Sequence, residues 1–134
     1  MIKIPLEIII PIYNEGENVI KLLKQFESTI KTQFRILLCY DIDDDNIFNY
    51  KNDIKKFRFE VLLIKNDSNG PCAAIKKGLY YGNSDCVIVY PADDFLNVNI
   101  IDEMYFSFAN GNDVVVASRF IKGGSMKGCP LIKS

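Results

Sequence analysis

Two adjacent carboxylates, Asp93 and Asp94, directly follow a short apolar run at residues 86–90. The run stops at Pro91, and an apolar run bounded by a proline predicts a buried strand of a parallel sheet. Carboxylates just beyond the carboxyl end of such a strand lie where open α/β sheets bind their ligands. Acidic residues after strands also serve as turn formers and helix caps, so a ligand-binding role and a structural role both remain open for this pair.

The chain contains no histidine, which limits the chemistry that its 134 residues can perform. Catalytic sites that pair serine or cysteine with histidine are excluded, and so are metal sites with imidazole ligands. A bound metal would have to be a hard cation on oxygen ligands, which points to Mg²⁺ or Mn²⁺. The cysteines are predicted to be buried free thiols in a reducing cytoplasm because they lie far apart, at Cys39, Cys72, Cys86 and Cys129.

The composition is that of an ordinary globular protein, with 49% apolar and 25% charged residues. The net charge is −1, and lysines and arginines are scattered along the chain, which argues against a nucleic-acid-binding surface. The length suits one domain that spans residues 1–134. The sequence shows no signal peptide and no apolar run of transmembrane length, so we expect a cytoplasmic protein.

Apolar runs and helical periodicities alternate along the chain and predict an α/β fold. The order βαβαβαβαβ implies a mostly parallel, doubly wound sheet with helices on both faces, which is a three-layer α/β/α arrangement. A first helix is predicted to open at residues 14–18, with Asn14 as its N-cap. Strands are predicted at residues 6–13, 34–40, 59–64, 86–90 and 114–117, and the later helices at residues 47–57, 73–81 and 100–108.

Charged residues follow several of the predicted strands, at ends that a parallel sheet places along one edge. Glu15, Asp41 and the run 43–45 are acidic, whereas Lys65 and Arg119 are basic. Carboxylates flanked by cations suit a metal-bound phosphate ester, because the metal binds carboxylate oxygens while Lys and Arg neutralise the remaining phosphate charge. For the run 43–45 we favour a structural role, as the solvated N-terminus of the next helix.

Five short segments, in chain order, resemble motifs of the family 2 glycosyltransferases, which have the GT-A fold. The last segment resembles a motif of the polyprenyl-phosphate sugar transferases, which include the dolichyl-phosphate mannose synthases. The resemblance spans nearly the whole chain and implies a GT-A domain that binds a nucleotide-diphospho-sugar. The segments are IIIPIYNEGENV at residues 8–19 (family P-x-Y-N-E-x-x-N), CYDIDDD at 39–45 (V-D-D-G-S-x-D), NDSNGPCAAIKKG at 66–78 (N-x-G-x-x-x-A-x-x-x-G), PAD at 91–93 (D-x-D), and ASRF at 117–120 followed by GG at 123–124 (S-R-Y…G-G).

The resemblance implies roles for individual residues of the donor site. Pro11, Tyr13 and Glu15 would line the nucleotide pocket. Asp41 would contact the base of the nucleotide. Asp93 matches the second aspartate of D-x-D, and it would hold a divalent metal, Mg²⁺ or Mn²⁺, on the diphosphate of the donor.

Three basic residues are also considered for the site, and two of them, Lys65 and Arg119, are expected at the same edge. Arg119 would meet the phosphate of the acceptor, and Lys133 falls near a second basic residue of the polyprenyl-phosphate branch. Lys65, which follows the third predicted strand, is expected to contribute to donor binding as a cation.

Two positions depart from the family pattern. Tyr40 replaces the first aspartate of V-D-D, and Pro91 replaces the first aspartate of D-x-D. Because a proline side chain cannot bind a metal, metal binding would rest on Asp93, helped by Asp94.

Together these features predict a glycosyltransferase that inverts the anomeric carbon of a sugar delivered by a UDP- or GDP-sugar. The expected acceptor is a polyprenyl phosphate, which would bring the protein to the cytosolic face of a membrane. A lipid phosphate is already anionic, so it needs cationic positioning groups such as Arg119 and no general base.

Two other functions are considered. A domain that binds a nucleotide sugar without transferring it remains open, because Pro91 and Tyr40 replace aspartates of the family motifs and the segment 123–134 ends without a closing element. We accordingly expect the acceptor part of the domain to be missing from this chain. A receiver-like signalling domain is disfavoured, since it needs an acidic cluster after the first strand and a lysine after the fifth.

Overall fold

The computed structural model describes residues 3–125, which form one parallel β-sheet with helices packed on its faces. The sheet has four strands, β1 (Leu6–Ile12), β2 (Phe34–Tyr40), β3 (Val61–Lys65) and β4 (Cys86–Val89), in the order β3-β2-β1-β4. The helices are α1 (Gly16–Thr29), α2 (Lys51–Ile54), α3 (Pro71–Tyr81) and α4 (Ile101–Ala109), and short 3₁₀ turns at Asn46–Tyr50 and Val98–Ile100 lead into α2 and α4. None of the helices within residues 3–125 is long and apolar enough to cross a membrane.

Helices cover both faces of the sheet because β1 is apolar on both of its faces. Ile8 and Ile10 belong to the core that includes residues of α1 and α4, whereas Ile9 packs in a separate core with Ala74 of α3. All three isoleucines are fully buried. Burial of each such side chain stabilises the fold by roughly 1.5–3 kcal/mol. The predicted three-layer α/β/α arrangement is therefore confirmed.

The register of the sheet brings the carboxyl ends of the strands to one edge. Ile12 pairs with Tyr40, and Tyr40 pairs with Lys65. β4 lies on the other side of β1, where Val89 pairs with Ile9. The strand order thus changes direction between β1 and β4, and the carboxyl ends beside such a switch point are where open α/β sheets bind ligands.

The predicted fifth strand at residues 114–117 is wrong. The sheet ends at β4 within the described residues, and Val114 and Val116 are 78% and 75% exposed. A strand needs a hydrogen-bonded neighbour and a covered face, and a short apolar run by itself supplies neither. β4 is consequently an edge strand in this part of the chain, and Val89 is 45% exposed, not buried as predicted.

The helix predicted at residues 47–57 is also shorter than expected. Its first part is the 3₁₀ turn Asn46–Tyr50, and only Lys51–Ile54 is α-helical. Ile47 and Ile54 of this segment are buried, and Phe48, Tyr50 and Phe57 pack partly buried against the same core.

The prediction that the cysteines are buried free thiols is confirmed only in part. Cys39 and Cys86 are buried free thiols, and burial raises the pKa of Cys39 to about 11, which makes it unreactive. Cys72 is exposed, because α3 packs on the sheet through Ala74, and residues two positions apart lie on different faces of a helix. Cys129 lies outside the described residues.

Gly78 allows α3 to approach β1 closely. A Cβ atom at this position would lie 2.8 Å from Cγ2 of Ile9, which is fully buried and has no space to move into. We expect Gly78→Ala to lower the free energy of unfolding by about 1–3 kcal/mol, measured by urea unfolding, because overpacking outweighs the gain in helix propensity. The loss should be smaller in an Ile9→Ala background, which removes the Cγ1, Cγ2 and Cδ1 atoms that the new Cβ would meet, and an equal loss in both backgrounds would contradict the close contact.

Candidate functional site

A pocket of about 320 Å³, here called the edge pocket, lies at the carboxyl ends of β1 and β2, beside the start of α3. It contains the four residues predicted to bind the nucleotide, which come from two separate strand ends. Its other wall is built by the beginning of α3. The lining residues are Pro11, Ile12, Tyr13, Glu15, Asp41, Gly70, Pro71 and Ala74.

Asp41 forms one wall of the edge pocket and holds the loop before α3. Its Oδ1 accepts a hydrogen bond from Asn66 Nδ2 at 2.8 Å, and its Oδ2 accepts one from the backbone N–H of Gly70 at 2.9 Å. Gly70 has a φ of +94°, a conformation that favours glycine, and it leads directly into Pro71 at the start of α3. A ligand in the pocket would therefore meet a fixed carboxylate, and each of its oxygens keeps further lone-pair capacity.

The turn between β1 and α1 carries Tyr13 and Glu15 into the edge pocket. Asn14, between them, has a φ of +52°, and the N-cap of α1 is Glu15. The prediction of Asn14 as the N-cap is wrong, because an N-cap adopts a non-helical conformation with negative φ. Instead, the N–H of Asn14 donates to Asp45 Oδ2 at 2.9 Å, and its Oδ1 accepts from the N–H of Asn46 at 3.0 Å.

Asp45 is only 2% exposed, although the acidic run 43–45 was predicted to be solvated. Its Oδ1 accepts a hydrogen bond from the N–H of Ile47 at 2.9 Å and caps the 3₁₀ turn that begins at Asn46. Asp43 and Asp44 are exposed. The predicted capping role is confirmed for Asp45. The prediction that it is solvated is wrong, because its second carboxylate oxygen accepts a hydrogen bond from the turn before α1.

Glu15 is held near two other carboxylates. Burial raises the pKa of Glu15, and the negative charges of Asp93 and Asp45 raise it further. Asp93, which follows β4 and is exposed, therefore lies close to Glu15 although the two are far apart in sequence. Three neighbouring carboxylates make this end of the edge pocket favourable for a bound cation.

The raised pKa of Glu15 predicts a pH-dependent stability. A folded-state pKa above the ordinary value of 4.5 means that stability is greatest below pH 4.5 and falls as the pH rises through the folded-state pKa. We expect Glu15→Gln to raise the free energy of unfolding at pH 7, by less than about 1 kcal/mol because solvent screens a half-buried group, and to leave it unchanged at pH 3.5. Urea unfolding at both pH values measures this.

The control for this prediction is Glu17→Gln, which neutralises an exposed carboxylate of the first turn of α1. It should give no comparable gain at pH 7. An equal gain at both pH values, or an equal gain in the control, would show that the charge of Glu15 is not disfavoured by its surroundings.

Asp94 is engaged in the turn that follows β4. Its Oδ1 accepts hydrogen bonds from the N–H groups of Leu96 at 3.0 Å and Asn97 at 3.1 Å, and its Oδ2 accepts one from Asn97 Nδ2 at 2.8 Å. Its backbone carbonyl accepts a further bond from the hydroxyl of Tyr90 at 2.8 Å. These bonds give Asp94 a structural role in the turn. That Asp94 also acts as a second metal ligand stays a prediction.

A divalent metal at this edge would have few protein ligands. No group of three or more His, Cys, Asp or Glu side chains that could hold a metal ion is found among residues 3–125. Mg²⁺ nevertheless commonly binds through one or two carboxylates together with substrate phosphates and water. Asp93, exposed and close to Glu15, fits this mode of binding.

A larger cavity of about 800 Å³, here called the side groove, lies next to β4. Ile88, Val89 and Met104 give it apolar walls, and Arg119 and Lys122 add positive charge. The structure thus places Arg119 in the side groove and not in the edge pocket.

Two basic residues with predicted roles lie elsewhere. Lys65 ends β3 at the same edge of the sheet, but its Nζ lies 3.0 Å from Oδ1 of Asp43 and 5.5 Å from the ring centre of Tyr40. The contact predicted between Lys65 and a donor stays a prediction. Lys133 lies outside the described residues.

The sequence patterns missed two asparagines that hold the walls of the edge pocket. The side chain of Asn46 bonds to Asn14 and Gly16, and the side chain of Asn66 bonds to Asp41. Asparagine is common in turns, and the signals for these two were their positions beside acidic residues at strand ends and, for Asn66, its place in the motif-like segment 66–78. Their partners are distant in sequence, so a local pattern could not identify them.

Known proteins resemble this chain in sequence and in fold. It is 24% identical over 128 residues to Dolichol-phosphate mannosyltransferase of Pyrococcus furiosus, a match that covers 94% of this chain and 36% of the relative. Residues 1–349 of S. aureus TarS, in complex with UDP-GlcNAc, superpose with a TM-score of 0.61 at 18% identity, over 81% of this chain and 31% of that fragment. The mannosyltransferase PcManGT from Pyrobaculum calidifontis, in complex with GDP-Man and Mn²⁺, superposes with a TM-score of 0.56 at 14% identity, over 69% of this chain and 28% of that protein.

The similar structures establish the GT-A fold, and the chain spans about a third of the length of its sequence relative. The sequence pattern of Glycosyl transferase family 2 matches residues 7–133, a range that contains the edge pocket and all of its predicted donor residues. A receiver-like domain is thereby excluded. With its motifs gathered at one edge of a GT-A sheet, this chain belongs to Glycosyl transferase family 2.

Proposed function

We propose that the chain binds a nucleotide-diphospho-sugar in the edge pocket and takes part in transfer of the sugar to an acceptor. One observation carries this proposal: Pro11, Tyr13, Glu15 and Asp41 line a single pocket at the carboxyl edge, with Asp93 close to Glu15. The ligands named for the similar structures, UDP-GlcNAc for TarS and GDP-Man for PcManGT, support a sugar nucleotide as the ligand class. A volume of about 320 Å³ is in the range of small-ligand sites.

Two residues of the pocket, together with Asp93 outside its lining, have defined parts in this proposal. Tyr13, which is 57% exposed, offers an aromatic ring at the pocket, and Asp41 offers a fixed acceptor for a donor group of the base. Asp93 would hold Mg²⁺ or Mn²⁺ through a carboxylate oxygen. A bound divalent ion stabilises the negative charge that develops on the leaving nucleoside diphosphate.

The transfer that follows from this arrangement is a single displacement. An acceptor oxygen forms a bond to the anomeric carbon while the bond from that carbon to the diphosphate oxygen breaks, and its electron pair leaves with the nucleoside diphosphate. The configuration at the anomeric carbon is inverted. Holding the two reactants in line is the main contribution of the protein to such a step.

A lipid phosphate is the acceptor class that we propose. Its oxygen is already anionic, so no proton has to be removed and no general base is needed. The side groove combines apolar walls with Arg119 and Lys122, which suits an apolar chain with an anionic head. The name of the relative, Dolichol-phosphate mannosyltransferase, supports this class, and such an acceptor would place the protein at a membrane surface.

The alternative is a domain that binds the sugar nucleotide without transferring it. Pro91 offers no metal ligand, and the carboxylate of Asp94 accepts three hydrogen bonds within its own turn. Asp93 is then left as the main metal ligand at this strand end. This weak metal site is the observation that favours binding without transfer.

Calorimetric titration with UDP-GlcNAc and GDP-mannose, each with and without Mn²⁺, tests the proposal. We expect saturable binding of at least one sugar nucleotide, strengthened by Mn²⁺, and absence of binding would overturn the proposal. Transfer of a radiolabelled sugar from the bound donor to a polyprenyl phosphate then separates the two functions, because only the transferase forms a labelled lipid.

A further inference from the structure

We propose that Asp45 and Asn46 are positioning residues of the edge pocket. They form a clamp, here called the turn clamp, on residues 14–16 and thereby fix the directions of Tyr13 and Glu15. The role in ligand binding rests on the proposed function, whereas the clamp itself rests on contacts within the chain.

Four hydrogen bonds make up the turn clamp. The N–H of Asn14 donates to Asp45 Oδ2 at 2.9 Å, and the N–H of Asn46 donates back to Asn14 Oδ1 at 3.0 Å. The side-chain amide of Asn46 uses both ends: its Nδ2 donates to the carbonyl of Asn14 at 3.1 Å, and its Oδ1 accepts from the N–H of Gly16 at 2.8 Å. The backbone before and after Glu15 is therefore tied to the same two residues.

The conformation of this turn needs such support. Asn14 has a φ of +52°, which residues other than glycine adopt at a cost in energy, although asparagine tolerates it better than most. Gly16 is pressed against the 3₁₀ turn, since a Cβ atom there would lie 2.6 Å from the ring of Tyr50. Without the turn clamp, Asn14 would be free to return to a negative φ, which would swing Tyr13 and Glu15 away from their present directions.

Asp45 acts through the turn because a ligand cannot reach it. Asp45 is only 2% exposed, and its two carboxylate oxygens accept hydrogen bonds from the N–H groups of Asn14 and Ile47. A buried carboxylate with a bond on each oxygen holds two backbone segments at a fixed separation. Asparagine at this position would present one acceptor and one donor, and the donor would oppose one of the two N–H groups.

The test compares Asp45→Asn and Asn46→Ala with a matched control, Asp102→Asn. The carboxylate of Asp102 also accepts backbone N–H bonds, from Lys31 and Thr32 at 3.0 Å each, but it lies at the opposite edge of the sheet. Calorimetric titration with UDP-GlcNAc and GDP-mannose in Mn²⁺ should show affinity reduced at least tenfold in both clamp variants. The control should lose thermal stability and keep its affinity.

Amide hydrogen exchange of residues 14–16 provides a readout that needs no ligand. The N–H groups of Asn14 and Gly16 should be protected in the natural sequence and in Asp102→Asn, and should exchange faster in Asp45→Asn or Asn46→Ala. Unchanged exchange in the clamp variants overturns the clamp. Faster exchange with unchanged affinity overturns its positioning role, and failure of the natural sequence to bind either sugar nucleotide overturns the proposed function together with that role.

Discussion

Asp93→Asn is expected to remove the strengthening of sugar nucleotide binding by Mn²⁺ and to lower any sugar transfer by about 100-fold or more. Asp93 is exposed and close to Glu15, whereas the carboxylate of the neighbouring Asp94 accepts three hydrogen bonds in its own turn. An asparagine at position 93 keeps the size of the side chain but loses the charge that a divalent cation requires. Titration of the variant with and without Mn²⁺ measures the effect.

Asp44→Asn is the matched control for this variant. Asp44 is exposed and lies near the same edge, but it does not line the edge pocket. Its neutralisation should leave both the affinity and the response to Mn²⁺ unchanged. If Asp93→Asn keeps the Mn²⁺ response, the assignment of Asp93 as a metal ligand is wrong.

Arg35→Met is expected to lower the free energy of unfolding at pH 7 by about 3–5 kcal/mol, because it leaves the carboxylate of Glu7 buried without its counter-ion. The side chain of Glu7 is fully buried and that of Arg35 is 14% exposed. Oε1 of Glu7 accepts hydrogen bonds from Nε of Arg35 at 2.8 Å, from Nη2 of Arg35 and from the N–H of Asn83 at 3.1 Å. Since Asn83 precedes β4, this pair helps to fix the strand that Asp93 follows.

The pH dependence of this loss follows from the pKa of Glu7. Burial raises the pKa of Glu7, but the hydrogen bonds from Asn83 and Arg35 outweigh burial and hold the pKa below its ordinary value of 4.5. The ionised form therefore stabilises the fold above pH 4.5, and this contribution is lost as the pH falls through the folded-state pKa. In Arg35→Met the carboxyl can be protonated at low pH, so the loss of stability should shrink as the pH is lowered.

Urea unfolding between pH 7 and pH 4 measures both effects. The double variant Glu7→Leu/Arg35→Met removes both charges and should recover most of the stability, because an apolar pair of similar volume replaces a buried ion pair at little cost. A loss below about 1 kcal/mol, or one that does not change with pH, would show that the ion pair contributes little.

Buried parallel strands were the most predictable part of the fold. β2 was predicted with the bounds at which it occurs, Phe34–Tyr40, because a continuous apolar run is typical of a strand covered on both faces. The prediction of a fifth strand was wrong because an apolar run alone does not make a strand. Residues 114–117 are apolar, but a strand depends on a neighbouring strand, and that is a property of the fold and not of four residues.

The sequence predicted which residues line the edge pocket, but not the hydrogen bonds that hold them in place. Glu15 and Asp41 could be placed at one edge because the carboxyl ends of parallel strands meet there, whereas Pro11 and Tyr13 were implied only by the family resemblance. The turn clamp could not be predicted, since Asn14 looks like an ordinary helix cap until its φ and its distant partners are known. Local composition indicates turns, whereas the pairing of two turns requires the folded chain.

Chemical-shift mapping of backbone amides during titration with a sugar nucleotide and Mg²⁺ locates the ligand directly. We predict that the largest shifts occur at residues of the edge pocket, namely Ile12, Tyr13, Gly70 and Ala74. A separate cavity of about 650 Å³, lined by Lys31 and Arg58 among others, lies at the opposite edge of the sheet and provides an internal comparison. Shifts confined to that cavity, or no shifts at saturating UDP-GlcNAc and GDP-mannose, would contradict donor binding at the carboxyl edge.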